Sequence, residues 1–104
     1  MKQSPIRMRA SLDGDTALVK MLISHPMDSG VTKDSNGQIR KANFISEVDL
    51  FLNTALVARL HTGPGISADP LFGWRLKGAK AGDRIGVTWR DNQGLEQSFE
   101  TTVQ

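Results

Sequence analysis

The 104-residue sequence has no cysteine and no tyrosine, and only two histidines, four phenylalanines and two tryptophans. Without cysteine, the chain has no disulfide, no thiolate metal ligand and no thiol chemistry, and its redox compartment cannot be read from its composition. Without Tyr or Cys, nothing titrates between the histidines and the lysines. The sequence pI of about 9.3 therefore overstates a balance of 13 Lys and Arg against 11 Asp and Glu, a net charge of +2. No run of basic residues accompanies that pI, which argues against nucleic acid as a partner. Long hydrophobic runs are also missing. None approaches the roughly 20 residues that span a bilayer, so no membrane partner is expected, and the polar start Met1-Lys-Gln-Ser-Pro-Ile-Arg7 lacks the apolar core of a signal peptide. Finally, no segment carries an apolar stripe of helical period.

What is present is alternation. One domain over residues 1–104, long enough to bury about two-thirds of its unfolded surface, is expected to be all-β. In Ile6 to Leu12, the residues Ile6, Met8, Ala10 and Leu12 share one face and Arg7, Arg9 and Ser11 the other. Asp13-Gly14-Asp15 turns the chain into a returning strand, Thr16 to Ile23. The polar segment Asp28 to Lys41 contains Asn36-Gly37, a hairpin signal, and predicts a small projecting ribbon. A strand from Asn43 to Leu52 follows, with Phe44, Val48, Leu50 and Leu52 on one side, and Leu56 to Leu60 returns against it. Pro64 and Pro70 make the next connection a loop. Phe72, Trp74 and Leu76 alternate before the turn at Gly78 to Asp83. Ile85, Val87 and Trp89 resume the alternation, Asp91 to Gly94 turns again, and Leu95 to Val103 closes the chain. About seven short strands with regular turns predict an immunoglobulin-like antiparallel β-sandwich.

The stretch Leu22-Ile-Ser-His-Pro-Met-Asp-Ser-Gly30 holds the chemistry. Ser24 beside His25 suggests a nucleophile and its base, but adjacent strand residues point to opposite faces, so the pair cannot act as a dyad. His25 with Met27 and His61 offers imidazole and thioether ligands that suit copper, which makes a free-standing copper-binding or small-ligand sandwich the alternative reading. The simpler reading needs no metal or cofactor. Pro26 removes a donor and holds His25 extended, so that His25, Pro26 and Met27 form a corner that ends the strand and shapes the loop.

Several strands are apolar on both faces. Leu18 and Leu22 stand beside Val19, Met21 and Ile23; Ile45 and Phe51 stand beside Phe44, Val48 and Leu50; Val57 opposes Leu56 and Ala58. The second face, Leu18, Leu22, Ile45, Phe51 and Val57, is expected to meet a permanent protein partner, or a second copy of the chain when that partner is absent. Lys77, Lys80, Arg84 and Arg90 surround one strand-turn-strand and are expected to steer an anionic partner electrostatically.

The pieces "LISHPMDSG", "NFISEV", "GPGISADP" and "KGAKAGDRIGVTW", the last followed by a spaced Asp-Asn and Gly, resemble in this order the SoxZ family of the bacterial sulphur-oxidising Sox system, from about Ile6 to Glu100. The resemblance implies a non-catalytic subunit that pairs with SoxY, whose C-terminal cysteine carries intermediates of thiosulphate oxidation. It also implies transient contact with the Sox enzymes and a periplasmic location reached by export with a signal-bearing partner. A chain without cysteine suits that division, since a thiol here would exchange with the partner's bound sulphur. The sequence departs from the family at two turns: Thr54 stands where glycine is frequent, and Asp69 where asparagine is common.

Overall fold

The computed structural model describes residues 6–31, 33–39, 41–63 and 65–104; the polar start over residues 1–5 and the loop-forming Pro64 lie outside them. Seven strands, β1 (Ile6–Asp13), β2 (Thr16–Ile23), β3 (Ile45–Leu52), β4 (Ala55–His61), β5 (Leu71–Lys77), β6 (Arg84–Asp91) and β7 (Glu96–Thr102), form the chain. They make two antiparallel sheets, a three-stranded one ordered β1-β2-β5 and a four-stranded one ordered β4-β3-β6-β7. The order is that of an immunoglobulin-type sandwich with its fourth strand moved onto the sheet of the third, sixth and seventh.

Alternation decides which side chains enter. From β2, Val19, Met21 and Ile23 point inward; from β6, Ile85, Val87 and Trp89 do, and all six are buried, with Trp89 the largest. Each side chain of this size contributes about 1.5–3 kcal/mol by leaving water. Along one side, β1 is stitched to the end of the chain, Leu12 N–H donating to Gln104 O and Gln104 N–H to Ala10 O, both at 3.1 Å.

Two irregularities correct the sequence reading. The register of β3 against β6 shifts between Ile45 and Glu47, so Ile45 opposes Asp91 and Val48 opposes Trp89. The extra residue, Ser46, reverses the alternation. Ile45 therefore points into the core with 0% exposure and is no part of a second face. A second shift, between Leu50 and Phe51 against β4, leaves Val57 as an extra residue between Ala58 and Leu56. Among the described residues the polar ribbon is held by two isolated antiparallel bridges. Lys33 bridges Ile39 and Asp28 bridges Asn43, and its turn is built on Asp34, whose carboxylate accepts from Asn36 and Gln38 N–H. Only Gly37, at φ 80°, takes a positive angle there.

Candidate functional site

The five residues expected on one second face go to three places. Ile45 is core. Leu18 and Leu22 lie on the outer face of the three-stranded sheet, across from Arg75 and Leu71. Phe51 and Val57 belong to the four-stranded sheet, on the other side of the molecule.

Around Phe51 and Val57 the surface is open, and exposed apolar side chains stand there among polar ones. Four strands overhang three, so β4, at the end of its sheet, is exposed on both faces. Leu60 opposes the buried Val48 and should be inside, yet it is 38% exposed; Leu56, opposite Phe51, is 47% exposed, and Val57, the extra residue of the bulge, similarly so. Phe51 is half-buried and lies opposite Gly86, whose missing side chain opens a groove of about 420 Å³ that Thr54, Thr88 and Ser98 also line.

Beside this patch lies a charge network that the sequence reading missed. Asp49, 1% exposed, is held by Arg59, whose Nε donates to Oδ1 at 2.8 Å and Nη2 to Oδ2 at 3.1 Å. Arg90 Nη1 donates to the same Oδ2 at 3.2 Å. Arg90 also pairs with Glu47 and Glu96, and Glu47 lies 3.6 Å from His61 Nδ1. The Arg59 hydrogen bonds hold the Asp49 carboxyl below its ordinary value against the opposing effect of its burial. The visible signal was two acids, Glu47 and Asp49, in a strand that is apolar apart from them and Ser46.

This network corrects the steering cluster. Arg90 is neutralised by carboxylates, and it sits about 20 Å along β6 from Arg84, at the rise of an extended strand. Arg84 lies 4.0 Å from Glu100. Lys77 and Arg84 flank the turn Gly78 to Asp83 and Lys80 lies within it, where Asp83 accepts from Lys80 N–H and Asn53.

At the corner, His25 is buried edge-on against Trp89, ring centroids 5.4 Å apart. Its Nδ1 accepts from Met27 N–H at 3.1 Å, and its Nε2 lies 3.6 Å from Asp91 Oδ2. Met27 Sδ accepts from Ile45 N–H at 3.3 Å. His25 Nδ1 and Met27 Sδ each thus accept from a backbone N–H, and His25 Nε2 faces a carboxylate. His61 is exposed beside Glu47, and among the described residues no three His, Cys, Asp or Glu converge on a point that could hold a metal ion. Ser24, exposed, turns its hydroxyl to Asp69, away from the buried His25 ring. No helix is long and apolar enough to cross a membrane.

A family model described as "Sulphur oxidation protein SoxZ" matches residues 6–102. No curated protein sequence matches. Among solved structures, a hypothetical protein, PH1083 from Pyrococcus horikoshii OT3, superposes with a TM-score of 0.68 at 15% identity, covering 98% of this chain and 90% of that one. At that identity the likeness concerns the fold.

Proposed function

This chain belongs to the SoxZ family of sulphur oxidation proteins, and from that premise we propose that it is the non-catalytic, periplasmic partner of a SoxY-like carrier. It binds that carrier along β4 and the neighbouring outer face of the four-stranded sheet. The carrier's cysteine bears the sulphur intermediates, and this chain holds the carrier in a form that the Sox enzymes can meet. The observation that carries the reading is the exposure of β4 on both faces. An edge strand with no proline, whose one arginine is tied to Asp49 and whose Leu56, Val57 and Leu60 stand in water, is a template for another chain. A partner strand or face there would bury those side chains together with Phe51, and would complete the overhang that three strands cannot cover.

Co-expression with a SoxY-like protein tests it. Leu56→Asp and Val57→Asp should each weaken the complex at least about tenfold while circular dichroism shows the fold intact, since both positions are exposed. Leu22→Asp, on the other sheet, should leave pairing unchanged. If Leu22→Asp breaks the complex and the β4 variants do not, the interface lies on the three-stranded sheet and this reading fails.

A further inference from the structure

The outer face of the three-stranded sheet gathers Arg7 and Arg9 from β1, Lys20 from β2, and Arg75 and Lys77 from β5. All five are exposed. Among the described residues, none of the five has an ion-pair partner, whereas Arg59 and Arg90 on the opposite sheet are both held by carboxylates. The register puts Arg9 directly opposite Lys20, and Lys20 opposite Gly73, with Arg75 on the diagonal. Like charges facing each other across a ladder destabilise a sheet, so the fold gains nothing from this arrangement. The only acid at an outward position of these strands is Asp13, in the end row with Thr16 and Lys77.

Apolar side chains are set among these cations. Leu71 is 68% exposed opposite Leu22, and Leu18 borders a groove of about 340 Å³ over Gly73, between Lys20 and Arg75. Leucines interleaved with cations along the rows of this face suit a protein surface on which acidic and apolar groups alternate. A nucleic acid fits less well. The one aromatic pair of β5, Phe72 and Trp74, opposes the inward Met21 and Val19, so no ring is offered for base stacking, and a flat sheet has nothing to place in a groove. We infer that this face is a docking surface for the acidic surface of a second protein, distinct from the partner bound along β4. Three short strands offer only a few hundred Å² to such a partner, at the low end of interface sizes, so the contact is transient and its charges act chiefly on the rate of encounter. The inference rests on the reading of the chain as an interaction subunit, and it uses the opposite side of the sandwich.

The test is an amide-shift titration of the full chain with a blocked hexaglutamate peptide. Shifts should centre on residues 7–11, 18–22 and 73–77, and affinity should fall at least about tenfold between about 25 mM and about 250 mM salt. The combined Arg9→Glu, Lys20→Glu, Arg75→Glu variant should abolish them. Lys20→Glu alone turns a like-charge pair into an attractive one, so it should raise the melting midpoint by about 3 °C while weakening the peptide at least about threefold. The inference is overturned if shifts centre instead on Lys33, Lys41 or Arg84, if the combined variant binds as well as the parent, or if the Lys20→Glu midpoint does not rise. Tighter binding of a DNA duplex, or of phosphatidylserine vesicles, to the same face also overturns it. Co-purification with the SoxY-like protein is scored separately and depends on β4, so the two readings can fail independently.

Discussion

Thr54 is the residue whose backbone fits its type least. The hairpin between β3 and β4 closes through Asn53 at φ 48° and Thr54 at φ 75°, a two-residue turn that needs both angles positive. Asparagine tolerates that region and a β-branched threonine does not, because its Cβ substituents crowd the backbone. Thr54→Gly is expected to raise stability by about 1 kcal/mol, a midpoint rise of about 5 °C for a domain of this size, read by thermal unfolding. An unchanged midpoint would mean that Thr54 sits there without cost. Asp69 and Met27, at φ 52° and 48°, are different, because each gains a bond from its position. Asp69 Oδ1 accepts from His25 N–H at 3.0 Å and Met27 N–H reaches His25 Nδ1, so these two angles clamp the backbone around the buried imidazole.

At the scale of the element, β3 changes phase at Ser46, its second residue, so that Ile45 and Val48 share the inward face. Nothing in "NFISEVDLFL" marks the extra residue, since Phe44 and Ile45 are equally apolar and strict alternation selects the wrong one. The tertiary packing makes the choice: Ile45 lies within the cluster of Met27, Val48 and Trp89, while Phe44 packs against its rim. Ile45→Ala is therefore expected to cost about 2–5 kcal/mol in denaturant unfolding, as a cavity in a closed core does. Phe51→Ala, on the half-buried outer face, should cost clearly less in the isolated chain and act on pairing instead. Equal costs would place both residues in one environment and contradict the shifted register.

For the whole molecule, the Asp49 network ties β3, β4 and β6 together across the face that β4 extends, and it sets how stability responds to acid. Asp49 is held below its ordinary value mainly by Arg59, so its contribution is complete above the unfolded value near about pH 4 and is lost as pH falls through the lower folded one. Asp83, lowered by the Lys80 backbone N–H and Asn53, behaves in the same direction. In the acid range the unfolded chain takes up protons first. Asp49→Asn should accordingly lower the proton uptake on unfolding by up to about one proton below pH 4, without abolishing it, as read from urea midpoints across pH. A variant with the parent's slope would show that Asp49 does not feel the two arginines.

The sequence by itself determined the class of fold, seven strands within a residue or two of their ends, the inward set on β2 and β6, and the family, because period-two alternation and turn residues are local properties that each segment carries alone. It also showed that several strands had apolar side chains to spare. Where those side chains went was decided only by the tertiary structure. Leu22 and Val57 are alike in sequence and lie on opposite sides of the molecule, since the sheet a strand joins is set by long-range pairing. Arg90 reads as a free cation until Glu47, Asp49 and Glu96 arrive from other strands. Arg9 and Lys20 become a like-charged pair only in the register that β1 and β2 adopt. Charge acts through distance in space, and the chain order does not contain that distance.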